Sequence, residues 1–191
     1  MGRRVTLLFM ARVDHKKIRQ LIAQKQKTVT DRQFFSSRAF AAYFADMALA
    51  QTRRYGYHRR VKVRTVWEPK NGNTAMTNNE LIWLNAGHPS ITQHKSRAER
   101  YAQLCGLFAH ELGHVLYTDF ITSQTHLTRL DSGFWYPEPP PLRTSREQHA
   151  EEELWDYSGD SRKHQSMVRF IMHDIMNILE DGYIEQRMIA E

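Results

Sequence analysis

The stretch SRAERYAQLCGLFAHELGHVLYT, residues 96–118, decides the fold. Ser96 and Glu99 form a capping-box pair, each side chain able to satisfy the other's backbone donor, so a helix is expected over 97–118. Tyr101, Leu104, Leu107, Phe108, Leu112, Val115 and Leu116 fill much of its circumference. A helix apolar on most sides is buried, and polar residues within it need a partner. His110, Glu111 and His114 are three such residues.

Working outward, residues 61–67 alternate Val61, Val63, Thr65 and Trp67 with Lys62, Arg64 and Val66, the pattern of a strand with one buried face. Pro69 ends it, and Asn71-Gly72-Asn73 supplies a turn. Residues 74–86 read as a second extended segment with Leu81-Ile82-Trp83-Leu84 as its apolar part. Before the strand, residues 30 to about 51 have helical spacing, with Thr30 or Asp31 as cap. Pro137, Pro139, Pro140 and Pro141 mark an irregular insertion over about 121–163, with room for a short helix near 148–157. Helical periodicity returns from residue 165 to the end of the chain. The expected architecture is α+β, a single domain over 1–191: a small mixed sheet, an edge strand packed on a buried helix, and a C-terminal helix.

With 191 residues the chain can build one core. One cysteine, Cys105, excludes a disulfide framework and a Cys-rich zinc ribbon, and fits a reducing compartment. The apolar stretch from Val5 to Ala11 is too short for an export signal, and no apolar run is long enough to span a bilayer, so cytoplasmic residence is expected. The net charge of +6 allows a nucleic-acid partner, as does Arg53-Arg54-Tyr55-Gly56-Tyr57-His58-Arg59-Arg60 with aromatics among arginines. A basic loop leading into the strand explains that stretch more simply.

His110-Glu111-Leu112-Gly113-His114 places two imidazoles four residues apart, one helical turn, so both can reach one ion with zinc–nitrogen bonds of about 2.0–2.1 Å. The intervening Glu111 faces the same ion at longer range, where it can take a proton from water. The bland alternative is a surface helix with two unrelated histidines. A catalytic zinc needs a third protein ligand. Tyr117 and Phe120 stand where a metzincin would have glycine and a ligand, which excludes that family. Asp119 is one residue out of that register and reads as a helix-end group or a support for a ligand. His126, Asp131 and Glu138 are weaker candidates. The last helix offers more: at about 100° per residue, His173, Asn177 and Glu180 share one stripe, flanked by Asp174 and Asp181. Glu180 is the first choice for third ligand, then Asp181, then Glu185; one of these acids could instead orient a ligand histidine. The competing reading is a core helix whose acids pair with Arg169 or Arg187.

His110-Glu-Leu-Gly-His-Val-Leu-Tyr-Thr-Asp119 together with Asn177-Ile-Leu-Glu-Asp-Gly-Tyr-Ile-Glu185 resembles gluzincin-like metallopeptidase domains of bacteria and phages, some of which precede a von Willebrand A-type domain. The resemblance covers these two short segments and the layout over 74–118. It departs in lacking the Asn-Glu-x-x-x-Asp arrangement and in the long gap between the two segments. It implies a zincin-like fold, a Zn2+ cofactor, a protein or peptide substrate, and a downstream or partner domain. It also implies that Glu111 takes a proton from the attacking water and passes it to the leaving amine. Tyr157 and Tyr183, with His149 and His164 behind them, are candidate oxyanion stabilisers. Leu81, Trp83 and Asn85 would form a substrate-binding edge, to which a peptide adds as a strand. Two other classes compete: a zinc-stabilised scaffold without turnover, which would not need Glu111, and a basic nucleic-acid-binding protein.

Overall fold

The computed structural model describes residues 28–56 and 60–190. The short apolar stretch near the start of the chain and Tyr57, His58 and Arg59 lie outside these described residues.

Thr30 opens helix α1 (Asp31–Phe35) with a capping box to Gln33. The single helix expected from residue 30 is broken at Ser36 and Ser37. The Ser37 hydroxyl accepts from the Phe40 backbone N–H (3.1 Å) and so starts a second helix, α2 (Arg38–Arg54). Serine side chains compete for backbone donors in this way, which favours helix starts over helix interiors.

Strand β1 (Lys62–Val66) follows, then β2 (Ala75–Thr77) and β3 (Leu81–Asn85). The extended segment expected over 74–86 is thus a hairpin. Asn78 Oδ1 accepts from the Glu80 and Leu81 backbone N–H groups, and Asn79 takes φ 75°, a left-handed conformation that asparagine tolerates. The sheet order is β1-β3-β2, with β1 parallel and β2 antiparallel to β3. This overturns the assignment of Leu81, Trp83 and Asn85 to an edge: β3 is central and paired on both sides. Asn85 is fully buried, and its side-chain amide holds Glu68 through both its N–H and its carbonyl.

After a short turn of helix, α3 (Pro89–Thr92), Ser96 caps helix α4 (Arg97–Tyr117) with the expected box to Glu99. Leu104, Phe108, Leu112 and Leu116 on α4 join Phe35, Phe40 and Phe44 of the first two helices and Ile82 and Leu84 of β3 in one core. The sequence from 121 to 163 is more regular than expected. Helices α5 (Phe120–Leu130) and α6 (Ser145–Asp160) occupy most of it, and the prolines confine irregular structure to residues 131–144. Thr144 and Glu147 form a third capping box at the start of α6.

Helix α7 (Arg162–Ala190) runs 29 residues and packs on α4 and α6. Gly113 lets α4 and α7 approach closely: a Cβ there would lie 3.3 Å from Met188 Cγ and 3.5 Å from Ile184 Cδ1. The acids of α7 are not buried; the Glu185 side chain is 65% exposed, and of the helix only Val168 and Ile184 are buried. No described helix is long and apolar enough to cross a membrane.

Candidate metal centre

His110 and His114 project from the buried helix α4 towards α7, and Asp181 meets them there. Asp181 Oδ1 lies 3.2 Å from His114 Nε2 and 3.5 Å from His110 Nε2. The three ligand atoms lie within 4.8 Å of one another, and no other group of three or more such residues with this geometry occurs among the described residues. The second-ranked acid therefore joins the histidines. Glu180 lines the same cleft without entering the group.

These separations fit an ion. Donors bonded at about 2.0–2.2 Å in a tetrahedral site stand roughly 3.3 Å apart, the spacing seen between Asp181 and both imidazoles. The electrostatics agree. Burial first, and His110 second, push His114 below its ordinary pKa, so its neutral form is favoured. Its Nδ1 shares a hydrogen bond with Thr118 Oγ1 (2.9 Å); with the ring proton on that side, the Nε2 lone pair faces the Asp181 carboxylate. Two acceptors at 3.2 Å repel unless a proton or cation lies between them. Glu185 Oε1 stands 3.6 Å from His110 Nδ1, on the side of the ring away from Asp181.

Glu111 is 7% exposed, and burial above all, with the Asp181 charge behind it, pushes its carboxyl up to about 7. It shares a cleft of about 530 Å³ with both histidines and Asp181. The edge strand β2 (Ala75, Met76, Thr77) lines one part of that cleft, and His173 and Asn177, joined through Nδ1 and Nδ2 at 3.2 Å, line another. The expected stripe of His173, Asn177 and Glu180 thus faces one cavity.

Other candidates fall elsewhere. Asp119 is the N-cap of α5 and accepts from the Ile121 and Thr122 N–H groups, bonds that hold its pKa down. Tyr157 stacks on His164 at 4.1 Å, and His164 also meets Asp160. Tyr183 is half exposed, and neither tyrosine lines the cleft. His149 pairs with Glu152 and Glu153, and His126 with the Tyr136 carbonyl. Asp131 holds Arg169, while Arg187 lies over the Tyr117 ring, which accounts for the arginines that the competing reading would have given to the α7 acids.

Sequence reasoning passed over Thr118, Gly113 and β2. Each left a signal: Thr118 is one turn past His114; a glycine inside a helix costs about 1 kcal/mol and needs a packing reason; and Asn78-Asn79 marks a turn. No family model matches the chain, nor does any curated protein or solved structure.

Proposed function

We propose that the chain is a zinc-dependent metallopeptidase with a zincin-like arrangement, in which His110, His114 and Asp181 hold the metal and Glu111 is the general base. The observation that carries this reading is the approach of Asp181 to both imidazoles beside a buried glutamate. When bound, the zinc ion supplies the Lewis acidity that polarises water and the scissile carbonyl.

The remaining work falls to the chain. Thr118 fixes the His114 ring, and Glu185 stands where it can orient His110. Glu111 accepts the proton of the attacking water and delivers it to the leaving nitrogen. Burial favours that acceptance, because it makes a carboxylate more basic than one in water. A peptide can lie along the open edge of β2, adding as another strand with its scissile bond towards Glu111.

Metal analysis and peptide hydrolysis test this together. The purified chain is expected to carry about one zinc, and His114→Ala and Asp181→Ala to lose it. Glu111→Gln is expected to keep the zinc and lose at least about 100-fold in turnover of an unstructured peptide substrate. A wild-type chain without zinc, or undiminished hydrolysis by Glu111→Gln, would overturn the proposal.

A further inference from the structure

Strand β2 borders two cavities. One is the cleft that holds Glu111 and both histidines; the other is a groove of about 320 Å³ lined by Glu68, Asn71, Met76, Leu81 and Trp83 among others. The register of the sheet divides them. Ala75 and Thr77 stand opposite Leu84 and Ile82, the buried core residues of β3, whereas Met76 stands opposite Trp83. Side chains alternate between faces along a strand, so Met76, Leu81 and Trp83 share the outer face. Met76 is 44% exposed, and Leu81 and Trp83 are half-buried. Met76 and Thr77 line both cavities, so cleft and groove meet across this one strand.

The far wall of the groove is held by the fold. Asn85 follows Trp83 on the outer face and is fully buried. Its amide accepts from the Glu68 N–H (2.9 Å) and donates to the Glu68 and Asn73 carbonyls (2.8 and 3.2 Å). Asn71 in turn donates to Glu68 Oε2 (2.9 Å). A side chain entering the groove finds that loop already in place, so little ordering is required. The backbone of β2 is open as well. The Thr74 carbonyl and the Asn78 N–H bond to β3. Antiparallel pairing alternates along a strand, so Ala75 and Thr77 turn their N–H and C=O groups to the edge that no other described strand covers.

We propose that this groove is a second recognition site for the peptide substrate, taking a large apolar side chain such as Phe or Leu. The inference rests on the metallopeptidase reading and deepens it. A peptide strand bonded to Ala75 and Thr77 lies about 4.8 Å from β2. Its residue opposite Met76 points outward, onto Met76 and the groove. The residues on either side of it, opposite Ala75 and Thr77, point into the cleft. Selectivity from the groove therefore falls on every second residue of the substrate. No Lys or Arg lines the groove, and its one acid, Glu68, is engaged by Asn71. The guest thus meets chiefly the apolar surface of Met76, Leu81 and Trp83, where burial and sulfur–aromatic contact favour an aromatic or aliphatic group.

Peptide hydrolysis with a moved side chain tests it. A single Phe, Arg or Glu is walked through a short peptide of Ala and Ser, and the cleaved bond is located by mass spectrometry. In the wild-type chain Phe is expected to raise kcat/KM at least about tenfold over Ala at alternate positions relative to the cleaved bond. Trp83→Ala and Met76→Lys are expected to remove that gain while metal content stays that of wild type. Met76 is 44% exposed, so Met76→Lys carries the test if Trp83→Ala does not fold. Hydrolysis that is lost in Glu111→Gln but shows no Phe preference would overturn the inference alone. So would a stronger preference for Arg or Glu, a Phe gain that survives Met76→Lys, or variants that lower it equally at adjacent positions. Absence of hydrolysis in the wild-type chain would overturn the metallopeptidase reading and this inference together.

Discussion

Helices α4 and α7 bring His110, His114 and Asp181 to the same candidate metal centre, yet they are held in opposite ways. Helix α4 starts in a capping box, buries six residues including Glu111, and forms the spine of the core. Helix α7 is eight residues longer, buries two, and presents large apolar groups to solvent on several sides. The two histidines are therefore fixed by the fold itself. The carboxylate arrives on an element that buries only Val168 and Ile184, with Met188 partly covered against the core. Metal affinity should then depend on how α7 is seated, and global stability on α4.

The largest contrast to test is in the packing. Phe108 is 3% exposed with its ring 4.6 Å from that of Phe44, so Phe108→Ala is expected to cost about 3–5 kcal/mol in chemical denaturation. Phe170 on α7 is 62% exposed, and Phe170→Ala should change stability by no more than about 0.5 kcal/mol. Equal costs would break the comparison.

Next in size is a pH effect in the metal-free protein. Glu111 is pushed from an ordinary 4.5 to about 7, so between those values the folded chain holds a proton that the unfolded chain releases. Its contribution to stability therefore falls as pH rises through that window, by up to about 3 kcal/mol. His114 acts oppositely: with its pKa lowered from 6.5, stability falls as pH drops below that value. The difference between Glu111→Gln and wild type isolates the first term. The variant should gain relative stability between pH 4.5 and 7.5, by about 2–3 kcal/mol in thermal or urea unfolding. A pH-independent difference would mean that α4 does not shield Glu111 as its burial indicates.

How much of this was legible in the sequence follows from the same contrast. The start, length and burial of α4 and the two histidines depend on residues within one turn of each other, so local spacing was enough. Asp181 and Glu180 differ by about 100° of rotation about α7. Which of them faces the histidines depends on how Ile184 and Met188 seat against Gly113, a tertiary contact that no local pattern encodes. The central position of β3 is hidden for a similar reason, since strand order is set by pairing across sequence. The four prolines near residue 139 drew attention from the helices on either side, although the Thr144–Glu147 capping box was in plain view.

Gly113 offers a way to disturb α7 alone. Gly113→Leu places bulk where even a Cβ would meet Met188 at 3.3 Å, and overpacking of this kind costs about 1–3 kcal/mol. Because none of His110, His114 and Asp181 is altered, metal affinity in a chelator competition should fall through displacement of Asp181. Unchanged affinity would show that α7 reseats with its carboxylate still in place.

The smallest effect expected is at Thr118. Thr118→Val keeps the shape of the side chain but removes the oxygen that shares a hydrogen bond with His114 Nδ1 at 2.9 Å. The ring then loses its orienting partner, and the other tautomer, with its proton on Nε2, becomes accessible. Loss of such a supporting bond lowers metal affinity by about tenfold, or 1.4 kcal/mol. Global stability should change less than affinity, because Thr118 is the C-cap of α4 and lies outside the core. A variant with unchanged affinity would mean that α4 fixes His114 by backbone and packing alone. That result would sharpen the contrast with α7, whose Asp181 lies outside the core.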